Sequence, residues 1–340
     1  MRRKGVVLAG LFVLLVGGVF LYVNYQKTAP SHPATTEDRR PKLKQLVAEQ
    51  EKESVQSVAN YLPSNKTRVD DLDSQVADLL RQLPGVVEIE VAVAAEKPTC
   101  RIVHIRDWHH VPKDLYAIDM KQAHGRELTD DEIDRLHQEL LLEVQAVQLE
   151  QIALLRCLIR HHGVKTVFSE GLTGKDYANF VEIVVVLGKM EKDQVGPMRK
   201  ELVGIREVLT TVDAKSESHA KMKKIEAEMA DMIDQHDLRL LEYGAAGRLL
   251  AVKEIEQVLP LDDADLLDRA KPITPSGVKL DREKVAARED AQVKAVMAKG
   301  GFGLIVLGGS HDLSDSVRRL GQGRCEYIRV TTRRFKEFSE

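Results

Sequence analysis

The chain has 340 residues, 50 basic and 53 acidic, for a formal net charge of −3. A hydrophobic content of 43% with 30% charged residues excludes an intrinsically disordered chain, and the near-balance of charge, with no basic patch interleaved with aromatics, excludes binding to nucleic acid through phosphate contacts. The three cysteines, Cys100, Cys157 and Cys325, stand far apart with no metal-type spacing, which excludes a disulfide framework and leaves at most one incidental bridge.

Arg2, Arg3 and Lys4 precede Gly5–Val23, a run without a charge. At ~1.5 Å per residue the run approaches the ~30 Å of a bilayer core. A secretory apolar core is shorter, about 7–15 residues, and ends on small residues. This run ends instead in Phe20-Leu-Tyr-Val-Asn-Tyr25. Residues 1–25 therefore read as an uncleaved signal anchor, a single transmembrane helix. The basic N-terminus is expected in the cytoplasm and the remaining body in the periplasm or outside the cell. Gln26–Arg40 is rich in Pro, Thr and Ser and reads as a spacer. Pro41–Leu62 has helical composition, as a stalk or a packing helix, so residues 26–68 are assigned as linker and stalk.

Residues 69–340 carry the folded domain. Asp70–Leu83 sets Leu72, Val76, Leu79, Leu80 and Leu83 on one side of an amphipathic helix closed by Pro84-Gly85. Val86–Ala94 alternates apolar residues with Glu88 and Glu90, the period of a half-exposed strand. Ile102, Val103 and Ile105 form a buried strand that runs into Arg106-Asp-Trp-His-His110. Thr129-Asp-Asp-Glu132 fits a capping box, and a long helix follows to His162, with Gly163 as its stop. His161 and His162 beside that stop read as structural, since cations are favoured at a helix C-terminus.

Val164–Phe168 is a second short strand and leads into Ser169-Glu170-Gly171. Tyr177–Leu187 fits a buried helix or a strand equally. Pro197–Thr211 and Glu217–Leu241 are charged helices with a thin apolar stripe, so an insertion spans about residues 190–250. Its His219 and His236 read as solvated. Glu256–Leu259 is a short strand, and Asp281–Lys299 a helix carrying Arg288-Glu289-Asp290. Gly303–Leu307 is the clearest buried strand, followed by Gly308-Gly-Ser-His-Asp312. Cys325–Val330 is the last strand, with a basic, exposed tail behind it.

Strands alternating with helices predict an α/β fold with a mostly parallel sheet flanked by helices. Ligands bind such sheets at the carboxyl ends of the strands. There stand His109, Glu170 and His311, after three different strands. Two imidazoles and a carboxylate match a divalent metal site with open positions. They match equally a metal-free site in which a His acts as base and a carboxylate orients it. Asp107 is expected to orient His109 or to add a ligand.

The set Asp107-Trp-His109, Phe168-Ser-Glu-Gly171 and Leu307-Gly-Gly-Ser-His311 resembles the superfamily that includes erythromycin esterases, TraB pheromone-shutdown proteins, Tiki proteases and haem-binding ChaN-like lipoproteins. Its members carry a Gly-x-x-His element after a strand, a Glu after a second strand and another Gly-x-x-His near the C-terminus. The last two elements match, over about residues 98–330. In the first, Arg106-Asp-Trp-His109 stands where Gly-Glu-x-His is usual, and Arg288 resembles the family's helix arginine. The resemblance implies a hydrolase of peptide or ester bonds, metal-dependent or not, acting through His109, Glu170 and His311, with Asp107 in support and Arg288 stabilising negative charge. Its alternatives are a haem- or ligand-binding module, with Tyr116, Tyr177 and Tyr243 as candidate axial ligands, and a scaffold that contacts partners through its charged helices.

Overall fold

The computed structural model describes residues 38–63, 67–271, 273–274, 277–278 and 281–340. The apolar run Gly5–Val23 lies outside the described residues. Among the described residues no helix is long and apolar enough to cross a membrane.

Strands β1 (Val86–Val93), β2 (Cys100–Asp107), β3 (Thr166–Thr173), β4 (Gln257–Asp262), β7 (Phe302–Gly308) and β8 (Cys325–Thr332) make one sheet in the order β1-β8-β2-β7-β3-β4. The edge strand β1 runs antiparallel to β8, and every other pairing is parallel. The expected mostly parallel α/β sheet is thus present. The remaining strands, β5 (Ile273–Thr274) and β6 (Gly277–Val278), form a separate two-stranded ribbon. The alternation of side chains along a strand divides the core in two. Val103, Ile105, Leu304 and Val306 point to one face, against Leu154, Leu155 and Leu158. Ile102, Ile305, Leu307 and Tyr327 point to the other, against Val293 and Val296.

The chain's helices cover both faces. Helix α1 (Arg40–Asn60) is followed by the short α2 (Ala77–Arg81), α3 (Lys113–His124) and α4 (Asp130–His162). Thr129 and Glu132 close the expected capping box at the start of α4, and Gly163 ends it at φ +78°. Helix α1 buries Leu43, Val47 and Val58, and the Ser54 hydroxyl donates to the Leu149 carbonyl at 3.1 Å. It is a packing helix lying along α4, not a stalk standing clear of the domain.

Two stretches differ from expectation, each for a tertiary reason, and one left open is decided. Asp70–Leu83 is helical only over α2, because the buried Arg101 guanidinium takes the carbonyls that a longer helix would need. It donates to Asp71 and Ser74 carbonyls at 2.6 Å each, and its Nε meets Glu326 at 2.5 Å. The C-terminal tail is helix α12 (Arg333–Ser339), which buries Phe335 and Phe338. Tyr177–Leu187 resolves as a helix, α5 (Tyr177–Met190).

The insertion continues α5 through a π-helical turn, Glu191–Val195, into α6 (Gly196–Leu209), α7 (Glu217–Glu242) and α8 (Gly244–Ala251). His236 is not solvated: it is buried on α7, with Nε2 3.0 Å from a Glu191 oxygen. His162 is structural as expected, between the Thr67 carbonyl at 2.8 Å and the Tyr61 hydroxyl at 2.8 Å. Burial lowers its pKa, so it serves as a neutral hydrogen-bonding ring, not as a cation at the helix end. Helices α9 (Ala264–Arg269), α10 (Arg282–Gly300) and α11 (Ser314–Gly321) complete the fold.

Candidate active site

Strand β7 lies between β2 and β3, so the three sequence motifs come out side by side. His109 follows β2, Glu170 sits in β3, and His311 follows β7. The structure brings His109, Glu170, His311, Asp107 and Arg288 into one cluster.

Glu170 is its centre. One carboxylate oxygen receives the His109 Nε2 at 2.5 Å and the backbone N–H of Gly308 at 2.7 Å. The other receives the Arg288 guanidinium at 2.7 Å and faces the His311 Nε2 at 3.2 Å. Each imidazole then meets a second carboxylate through Nδ1: His109 meets Asp107 at 2.7 Å and His311 meets Glu289 at 3.0 Å. The result is a continuous chain of alternating groups, Asp107–His109–Glu170–His311–Glu289.

Local structure holds the chain in place. Gly171 takes φ +76°, a conformation that favours glycine, and interrupts the β3–β4 register just after Glu170. Its N–H donates to Asp262 at 2.7 Å. Asp262 in turn grips the Arg288 Nε at 2.7 Å and the Gln292 amide at 2.9 Å, so the guanidinium is fixed from two sides. Gln151 on α4 donates to Asp107 at 2.8 Å. Gly309 is required by close approach, since a Cβ there would lie 2.0 Å from the Phe335 ring. Phe335 packs edge-on against Trp108, with ring centroids 5.9 Å apart. The α12 helix thereby buttresses both His-bearing loops.

The electrostatics follow from this geometry. Burial alone would push His109 down, but the charges of Glu170 and Asp107 outweigh it and raise the imidazole to about 10. His311 is raised for the same reason, by Glu170 and Glu289 against its burial. Burial would raise Glu170, yet His109, Arg288 and His311 hold it well below the usual carboxylate range. At neutral pH His109 is therefore a cation, and His311 is shifted toward its charged form. His110 is the exception: burial lowers it to about 4, so it is a neutral base.

Beside the cluster lies a cavity of ≈ 40 Å³, lined by His109, His110, Ser169, Glu170 and Tyr243 among others. That is room for about one or two waters. The His109 side chain keeps 14% exposure toward solvent, whereas Glu170 and His311 keep 1% and 0%. Arg288 is sealed between Glu170 and Asp262 and does not line the cavity.

The donor set does not fit the expected metal centre. Both oxygens of Glu170 and both Nε2 atoms already face protein partners, and an ion there would share Glu170 with the fixed Arg288 cation. Among the described residues no group of three His, Cys, Asp or Glu is arranged to hold a metal. The ≈ 40 Å³ cavity that Tyr243 lines is smaller than a porphyrin ring. Tyr116 is buried against His137 instead, with ring centroids 5.5 Å apart.

Sequence reasoning missed Glu289, Asp262, Gln151 and Gln292, and gave His110 no role. Asp262 was within reach of the strand-end rule, since it closes β4. Glu289 looks like one residue of a charged helix face, and only the fold turns it onto His311. The site and sheet define an α/β protein with a buried His–carboxylate cluster at the strand ends. No protein-family model matches the chain, and no curated protein or solved structure does.

Proposed function

We propose that the chain is a hydrolase of ester or peptide bonds that works by acid–base and electrostatic catalysis, tethered to a membrane by Gly5–Val23. The observation that supports this most is the alternating chain Asp107–His109–Glu170–His311–Glu289, whose first three members, Asp107, His109 and Glu170, line the cavity. His109, whose two N–H groups are both held by carboxylates, stabilises a developing oxyanion through its positive charge. His110, neutral and on the same cavity, accepts the proton of the attacking water. Glu170 and Asp107 keep His109 charged, and Arg288 and His311 keep Glu170 ionised and in place. Of the superfamily the motifs resemble, the esterase-like members, which hydrolyse with His and Glu and no metal, agree with this reading.

A second reading is a binding or scaffold body in which the cluster only braces the fold. It draws on one observation: Glu170 has every donor it can take, and the cavity holds water-sized guests alone. A panel of aryl esters and fluorogenic peptides, run on the purified chain with and without chelator, separates the two. Turnover that survives chelator and falls at least a hundredfold in both His109→Gln and His110→Gln supports the hydrolase. No turnover by the folded wild type, or turnover untouched by both variants, sinks it.

A further inference from the structure

A second cavity, ≈ 330 Å³ in volume, opens on the far side of α8 from the His cluster. It lies between α1, α4 and the helical insertion, and its size falls in the range of small-molecule sites. Three arginines line it: Arg156, Arg199 and Arg248. Two of them are neutralised. Arg156 forms a fork on Glu254 at 2.8 and 2.9 Å. Arg199 pairs with Asp237 at 2.9 Å and approaches Glu191 at 3.5 Å.

The Arg248 side chain has neither a hydrogen bond nor an ion pair with any described residue. It is nonetheless set into the wall, and burial lowers its pKa. The guanidinium is only half-buried, and Asp237 and Glu51 act on it through charge alone, so its hydrogen-bond donors stay open to a ligand. The wall around it is apolar, with Leu149, Ile152, Leu240 and Leu249. Glu51 on α1 also lines the cavity, but it is exposed and makes no ion pair with Arg248.

We propose that this cavity is a binding site for a small organic carboxylate with an apolar tail. Its head group forms the two-pronged hydrogen bond of a carboxylate on Arg248, and its tail lies against Leu149, Ile152 and Leu249. The site is independent of the hydrolase reading, since none of its residues belongs to the His cluster.

The test is calorimetric titration of the purified chain with sodium octanoate. Octanol and octylammonium, of the same length, serve as neutral and cationic controls. Octanoate is expected to bind one to one and to raise the melting temperature, and the two controls to bind at least tenfold more weakly. Arg248→Gln is expected to weaken octanoate at least tenfold. Val55→Asp, at an exposed position on the cavity wall, guards against a variant that fails to fold. It places a repelling charge at the mouth and is expected to weaken octanoate as well. No octanoate binding by the wild type, equal binding of octanol, or octanoate binding undiminished in both variants would each overturn the proposal.

Discussion

The charged state of His109 sets a pH dependence of stability that can be worked out in advance. In the unfolded chain an imidazole titrates near 6.5, whereas in the fold two carboxylates raise His109 to about 10. A folded-state pKa above the unfolded one means that the native state binds the proton more tightly. The stabilisation is therefore complete below about pH 6.5 and is lost as pH rises toward 10. Each unit corresponds to about 1.4 kcal/mol, so three units, from pH 6.5 to 9.5, set a ceiling of about 4 kcal/mol for this one group. The perturbation that isolates it is His109→Gln, which cannot titrate. Denaturant unfolding of the wild type and the variant at pH 6.5, 8.0 and 9.5, at constant ionic strength, gives the stability gap between them. The gap is expected to be widest at pH 6.5 and to shrink by up to about 4 kcal/mol at pH 9.5. Titrating groups remote from the cluster are common to both proteins and cancel. A gap that stays constant or widens with pH would refute the charged-imidazole assignment.

Further outcomes follow from other contacts. Glu170→Gln leaves Arg288, His109 and His311 facing a neutral amide, and should cost about 3–5 kcal/mol in a denaturant titration, the scale of a broken buried ion pair. The wild-type contribution of Glu170 has the opposite pH sign to that of His109: it is full above about pH 4.5 and disappears as pH falls. Gly309→Ala drives a Cβ into the Phe335 ring and should cost about 1–3 kcal/mol, with partial recovery on adding Phe335→Leu. Equal stability of G309A and wild type would show that α12 yields without strain. Arg101→Met strands Glu326 and frees the carbonyls of the 71–74 turn. The expected loss is about 3–5 kcal/mol, with faster amide exchange across residues 69–76, and unchanged exchange there would rule out the proposed bracing role.

Much of this protein is legible in its sequence because the governing physics is local. The capping box at Thr129 and Glu132, the stop at Gly163 and the apolar strands β2 and β7 rest on near-neighbour hydrogen bonds and on the period of burial. The site residues stood out for a related reason: in a parallel sheet the carboxyl end of a strand is where the chain leaves the core, and His109, Glu170 and His311 all stand there. What the tertiary structure alone decided depends on contacts across long stretches of chain. Arg101 unwinds most of a stretch whose apolar spacing is helical, because its guanidinium needs carbonyls more than the helix does. Phe335 turns a charged tail into a helix with one buried face by finding Gly309 and Trp108. The pairing of each imidazole with two carboxylates has the same origin. Glu289 and Asp262 reach the cluster from α10 and β4, and their charges make it a saturated proton-bearing network.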